Sequence, residues 1–252
     1  MSDFVRYGLV YFVVFLTHVQ EGITGFGCTV LALPFIALLL GLDVAVPVLV
    51  IQAWVLNLYI VLISRHQIAW VEYRRIVLLA GIGLPFGIWM ARALPETGLK
   101  WVLAVFMLAI GAQGLGTHWR MQTLEIKTSS SRTKRLASLF LPLGGIIHGA
   151  FGSGGPLVVI YATRALPEKS LFRVTLCLLW LTLNTILISQ WILSSSLDGH
   201  IVRVSALCLP FTVVGMVGGN IAHHRMNELL FRRLVYAVLI AAGFALVYSI
   251  VR

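Results

Sequence analysis

The chain has 252 residues, of which 59% are hydrophobic and only 11% are charged, far below the roughly 25% of charged residues in a typical soluble domain. A membrane-spanning helix needs about 20 consecutive apolar residues, and such stretches run almost from end to end. This composition excludes a soluble domain and indicates a multi-pass membrane protein. The first apolar stretch has no signal-peptide cleavage site after it, so we interpret it as the first membrane segment.

Basic residues outnumber acidic ones, with 19 Lys and Arg against 9 Asp and Glu. In a membrane protein such an excess reports topology and anionic lipid headgroups, so we expect the bilayer, not nucleic acid, as the partner. The cysteines Cys28, Cys177 and Cys208 are scattered and form no CxxC pair, which argues against a thiolate metal site. We expect no catalytic residue, no metal ligand and no cofactor.

The apolar runs, taken in chain order, predict an all-α polytopic fold in two halves. The first repeat, residues 1–117, comprises an opening pair of helices over 4–41 and spans over 44–63, 75–93 and 99–117. A polar, basic linker follows over 118–135. The second repeat, residues 136–252, comprises an opening pair over 136–166 and spans over 171–193, 200–222 and 229–250.

An internal duplication is indicated by short matches between the halves. Phe-Gly at 26–27 recurs at 151–152, and Leu-Pro-Phe at 84–86 recurs at 209–211, both at an offset of 125 residues. Trp54 and Asn57 correspond approximately to Trp180 and Asn184. A repeat of this length predicts two related structural units.

Each opening pair is interrupted by a glycine-rich break, at 22–27 and at 149–156. If each pair is one kinked span, the protein has eight crossings and parallel repeats, and Lys and Arg divide 11 to 8 between the two sides. If each pair is a re-entrant hairpin, they divide 14 to 5. Because Lys and Arg concentrate in cytoplasmic loops, the hairpin interpretation is favoured. It makes the repeats inverted and places both termini outside the cytoplasm.

The breaks themselves predict a binding site. Irregular backbone in a membrane is tolerated where protein buries it or where it lines a watered cavity, and inverted repeats with broken helices hold substrate near the midplane. The second arm of each hairpin begins at its break, where a helix N-terminus favours anions. Ser153 as a cap and Pro156 in the first turn support such a helix start. Close packing through small residues is the alternative explanation.

Two segments also carry a family resemblance. GITGFGCTVLALP (22–34) and GGIIHGAFGSGGPLVVIYA (144–162) resemble the paired motifs of the TauE/SafE sulfite exporter family, and the resemblance covers nearly the whole chain. Members of that family are permeases for sulfite and organosulfonates, which implies a related oxyanion here. The first motif departs from the family pattern at Cys28-Thr29, where many members continue with glycines.

The candidate site residues fall into two groups. The substrate-binding group comprises Gly25, Phe26, Gly27, Cys28, Thr29, Gly152, Ser153, Gly154, Gly155, Gln52, Asn57, Asn184 and Trp180. The group for gating or proton coupling comprises Glu21, Gln20, His18 and His148, because ionisable groups inside membrane segments are costly and mark functional positions. Interhelical hydrogen bonding explains Gln52, Asn57 and Asn184 equally well.

The sequence therefore predicts a secondary transporter in the plasma (inner) membrane that moves a small sulfur-containing oxyanion, with protons or sodium as candidate coupling ions and a homodimer left open. An anion channel or a carboxylate transporter with the same site is the alternative. No GxxxxGK[ST], HExxH or serine-elbow motif is present, so ATP hydrolysis and a membrane-embedded enzyme are disfavoured. A passive partner of another membrane complex is a third hypothesis.

Overall fold

The computed structural model describes residues 2–24, 27–121, 131–222 and 228–251, and every regular element in these ranges is helical. The first half contains α1 (Asp3–Thr24), α2 (Cys28–Leu40), α3 (Leu42–Ser64), a 3-10 turn (Arg65–Gln67), α4 (Trp70–Ala93) and α5 (Glu96–Met121). The second half contains α6 (Ser131–Ser138), α7 (Phe140–Phe151), α8 (Gly155–Ala165), α9 (Lys169–Leu193), α10 (Gly199–Ala222) and α11 (Glu228–Val251). The predicted all-α fold is confirmed.

Five of the described helices are long and apolar enough to cross a bilayer. They occupy Leu42–Gln67, Trp70–Ala93, Glu96–Gly114, Lys169–Leu193 and Gly199–Ile221. On α4 the large apolar side chains Leu78, Ile82, Phe86 and Trp89 are more than half exposed, and their spacing of four, four and three residues places them on one helix face. That face is suited to lipid, so the bundle is an integral membrane protein.

The two halves pack against each other reciprocally. Helix α1 of the first half packs on α10 of the second, while α7 of the second half packs on α4 of the first. Helix α3 packs on α9, and α5 packs on α11. Each half therefore supplies the partner for the other half's broken segment, and the breaks are enclosed by helices from both halves.

Glycines make the closest of these contacts. A Cβ on Gly87 of α4 would lie 2.9 Å from the Cα of Gly149 of α7, and a Cβ on Gly219 of α10 would lie 3.0 Å from the Cα of Gly22 of α1. In both pairs the helix backbones touch, as small residues permit in membrane helices. Gly22 and Gly149 are 127 positions apart, and Gly87 and Gly219 are 132 apart. These two spacings differ from each other and from the offset of 125 residues between the short sequence matches.

The helix breaks are formed by glycines in left-handed conformations. Gly27 has φ 102° immediately before α2, and Gly152 has φ 61° immediately after α7. Side chains with a Cβ rarely adopt these values, and a Cβ on Gly152 would also strike the side chain of Val50. Gly25 and Phe26, both predicted site residues, lie outside the described residues.

The end of the predicted linker is tied to both halves. Lys134 of α6 makes an ion pair of 2.7 Å with Glu72 at the start of α4. The hydroxyl of Tyr161 on α8 donates to the same carboxylate at 2.6 Å. Part of the predicted linker, residues 122–130, lies outside the described residues, whereas its last residues belong to α6.

Candidate functional site

A small buried cavity lies between the two breaks. It is lined, in chain order, by Glu21, Gly27, Thr29, Val30, Ala53, Asn57, His148, Gly152, Ser153, Gly155, Trp180 and Asn184. The space open to a water-sized sphere is about 20 Å³, which is room for one or two water molecules. Both breaks contribute to the lining, and α3 and α9 supply the remaining walls.

The two breaks differ in how their helix N-termini are satisfied. At the first break, the backbone N–H of Cys28 donates to the carboxylate of Glu21 at 2.9 Å. Glu21 is 2% exposed. A buried carboxylate at a helix N-terminus is stabilised by the helix dipole and the free N–H groups of the first turn. The N-terminus of α2 is therefore already occupied by an acceptor of the protein itself.

The second break has no such occupant. The N-cap residue of α8 is Gly154, and Pro156 stands in the first turn of the helix, whose leading N–H groups have no intrahelical acceptor. Ser153 is 2% exposed, and its buried hydroxyl has no hydrogen-bond partner. Buried polar groups without a partner are rare and costly. The α8 end of the cavity thus offers hydrogen-bond donors for which the described part of the chain supplies no acceptor.

His148, Trp180 and Asn184 form a cluster of contacting side chains in the lining of the cavity. His148 Nε2 lies 3.0 Å from Asn184 Oδ1, and the His148 ring stacks on Trp180 with centroids 5.2 Å apart. All three side chains are at least 95% buried. With Asn184 as acceptor, Nε2 is the donor, which leaves Nδ1 of His148 without a partner.

Asn57 of α3 also lines the cavity. Its amide nitrogen donates to the carbonyl of Ala53 at 2.7 Å, and its amide oxygen is buried without a partner. Three pairs of lining residues are each 127 positions apart. These pairs are Glu21 with His148, Ala53 with Trp180, and Asn57 with Asn184. The lining therefore draws on both halves of the chain at one common spacing.

Several predicted residues lie beside the cavity without lining it. Gln52 bonds to α10 instead, donating to the carbonyl of Ser205 at 2.8 Å and accepting from Thr212 at 2.7 Å. His18 Nδ1 lies 2.7 Å from the carbonyl of Val14 in its own helix. Trp54 bonds to Thr185 across the contact between α3 and α9. Three further predicted residues are outside the lining: Gln20, Cys28 and Gly154. Two of them lie close to lining residues. Gln20 lies against Gly27, and a Cβ on Gly154 would lie 2.9 Å from the Cβ of His148.

Two lining residues, Val30 and Ala53, were not predicted. Both are small or medium apolar residues within continuously apolar helices, so no polarity or motif distinguishes them from core residues. Among the described residues, no group of three or more His, Cys, Asp and Glu side chains is arranged to hold a metal ion.

Comparison with known proteins identifies the family. A family model described as "Sulfite exporter TauE/SafE" matches residues 10–246, which include both breaks and all the residues that line the cavity. No curated protein and no solved structure matches the chain. Because the family match covers nearly the whole sequence, the chain belongs to the sulfite exporter TauE/SafE family of membrane transporters.

Proposed function

We propose that this protein is a secondary transporter that binds a small sulfur oxyanion, such as sulfite or an organosulfonate, in the cavity between the two breaks. The observation that carries the proposal is the unpartnered hydroxyl of Ser153 at the uncapped N-terminus of α8. A helix N-terminus is a general anion-binding element. The family supplies the substrate class.

The anion would be held mainly at the second break. The first-turn N–H groups of α8 and the Ser153 hydroxyl are donors, and the side-chain amides of Asn57 and Asn184 face the same cavity. Hydrogen bonds to a charged group are each worth about 1.5–3 kcal/mol, so a few donors are enough to bind a desolvated oxyanion. The first break cannot contribute equally, because Glu21 already occupies the N-terminus of α2.

The helix lengths support re-entrant hairpins at the breaks. Helices α2, α7 and α8 have 13, 12 and 11 residues, which at about 1.5 Å per residue is too short for a hydrocarbon core of about 30 Å. Helix α1 has 22 residues and is long enough, but it ends in the polar residues His18, Gln20 and Glu21. Together with the reciprocal packing of the halves, these lengths favour two inverted repeats, each with a hairpin and three spans.

The size of the cavity favours a carrier over a channel. A sulfite ion has four heavy atoms, whereas the space open to a water-sized sphere is about 20 Å³, so the site must widen before it can hold the ion. Opening to one side at a time is the alternating access that inverted repeats perform. A channel would need a continuous open path through the same position.

Counterflow in proteoliposomes tests this function. The purified chain is reconstituted with unlabelled sulfite inside, and entry of radiolabelled sulfite is followed under nitrogen to prevent oxidation. A carrier gives saturable uptake that is accelerated by internal sulfite. Uptake that does not saturate and ignores internal sulfite contradicts the carrier proposal, and acceleration by carboxylates alone contradicts the proposed substrate class.

A further inference from the structure

Arg173 lies on a face of α9 that leads to the cavity. Arg173, Cys177, Trp180 and Asn184 follow one another at spacings of four, three and four residues, which places them on one helix face. Trp180 and Asn184 line the cavity. This helix face therefore connects Arg173, near the start of α9, with Trp180 and Asn184 at the cavity.

The guanidinium of Arg173 is only partly satisfied. Its Nη2 donates to the side-chain oxygen of Asn220 on α10 at 3.0 Å, whereas its Nε is buried and has no hydrogen-bond partner. Burying a charged donor without an acceptor is unfavourable. Arg173 therefore retains a donor that an anion could use.

The neighbours of Arg173 connect it to the cavity as well. The backbone nitrogen of Asn220 would lie 3.2 Å from a Cβ on Gly22, and Gly22 directly follows the cavity residue Glu21. No direct ion pair joins Arg173 to Glu21 among the described residues. Arg173 is therefore linked to the cavity through Asn220 and the contact of α10 with the end of α1.

This cation belongs to one half only. The position 127 residues before Arg173 is Val46, which is 8% exposed and packs in the hydrophobic core. The start of α9 also lies at a defined end of the bundle, since the N–H of Ala69 donates to Thr175 at 3.0 Å. The arginine-rich segment around 65–75, which the charge distribution predicts to be cytoplasmic, is at the same end. Arg173 therefore lies on the side of the cavity that is nearer the predicted cytoplasmic end of the bundle.

We propose that Arg173 is the anion-recruiting residue of this transporter, which holds the oxyanion between the α9 end of the bundle and the cavity before Trp180 and Asn184 contact it. This inference rests on the proposed function. An incoming anion bonds to the Nε group of Arg173, which has no partner among the described residues.

The test compares KM and maximal rate for sulfite counterflow in proteoliposomes. Arg173→Gln should raise KM about tenfold or more, as expected for losing a charge-assisted hydrogen bond, with a smaller effect on the maximal rate. Arg173→Lys should restore part of the affinity, because it keeps the charge without the planar donor set. Arg164→Gln is the matched control: it removes an exposed arginine whose side chain bonds to the carbonyl of Ile160 within its own helix.

Asn220→Ala distinguishes an effect of Arg173 on anion binding from an effect on the packing of α9 against α10. It removes the contact between α9 and α10 but leaves the cation, so KM should stay close to the wild-type value. Suppose that the wild-type protein exchanges sulfite. If Asn220→Ala then raises KM as much as Arg173→Gln does, or if Arg173→Gln leaves KM unchanged, Arg173 does not recruit the anion. The proposed function stands in both cases. If the wild-type protein exchanges no sulfur oxyanion, the proposed function is wrong and the role of Arg173 is wrong with it.

Discussion

Ser153 is the residue on which the proposed anion site depends most. Its hydroxyl is buried, lines the cavity and has no partner, whereas most buried hydroxyl groups are hydrogen-bonded. Among the described residues no group donates a hydrogen bond to this hydroxyl or accepts one from it, so no contact there requires a hydroxyl. Its role in the proposed function is to donate to a bound oxyanion.

Ser153→Ala should therefore weaken anion binding without destabilising the protein. We expect an increase of about tenfold in the KM for sulfite, from the loss of one hydrogen bond to a charged ligand, and an unchanged melting temperature without ligand. Thr163→Val, on the helix that follows Ser153, is a suitable control, because the Thr163 hydroxyl bonds to the carbonyl of Val159 and is exposed. Unchanged KM in Ser153→Ala would remove Ser153 from the site.

Glu21 is expected to oppose the anion. Its carboxylate lines the cavity, and like charges repel strongly where water is scarce. Glu21→Gln keeps an acceptor for the N–H of Cys28 but removes the charge, so it should tighten sulfite binding in titrations of the purified protein and slow exchange if Glu21 gates the site. Weaker binding in this variant would show that the carboxylate does not act on the anion in this way.

Glu21→Ala should act on stability instead. It leaves the N–H of Cys28 without its acceptor in the interior, at a cost of about 1–3 kcal/mol. We expect a lower melting temperature for Glu21→Ala than for Glu21→Gln. Equal melting temperatures would mean that another group replaces the lost acceptor.

At the scale of elements, the glycine contacts determine how close the broken segments lie to their partner helices. A Cβ on Gly87 would strike the carbonyl of Ile146 in α7, whereas a Cβ on Gly81 of the same helix would meet nothing within 4 Å. Overpacking costs about 1–3 kcal/mol, and Ala is favoured over Gly in a free helix position by up to about 1 kcal/mol. Gly87→Ala should therefore lower the melting temperature, while Gly81→Ala should leave it unchanged or raise it. The reverse order would contradict the close α4 to α7 contact.

The helices were predictable from the sequence because uninterrupted apolar runs and glycine breaks mark their extents. Which face of each helix meets the cavity was not predictable for α3. That helix is apolar all around, so nothing in its pattern separates Gln52, which bonds to α10, from its neighbour Ala53, which lines the cavity. The three-dimensional packing of α3 between α9 and α10 decides which of its residues meets the cavity.

The candidate site was also predictable only in part. Glycine breaks and intramembrane polar residues pointed to Ser153, His148 and Asn184 because such groups are costly in lipid. The difference between the two helix N-termini was not predictable, since it depends on the three-dimensional placement of Glu21 beside the N–H of Cys28. The partly satisfied guanidinium of Arg173 was not predictable either, since it depends on how α9 packs beside Asn220 of α10.

For the whole molecule, the proposed inverted repeats make a prediction about topology. With a hairpin and three spans in each half, both termini lie outside the cytoplasm. Reporter domains fused separately to the N-terminus and to the C-terminus should therefore report an extracytoplasmic position. A cytoplasmic signal from either terminus would favour the eight-span arrangement with parallel repeats.

The central claim, that the cavity between the breaks binds a small sulfur oxyanion, is tested most directly by thermal stabilisation of the purified protein. A ligand at 100 times its Kd stabilises the folded state by about 2.7 kcal/mol. Sulfite or an organosulfonate should raise the melting temperature at constant ionic strength, and the rise should be smaller in Ser153→Ala. Stabilisation by carboxylates alone, or an equal rise in Ser153→Ala, would contradict the account.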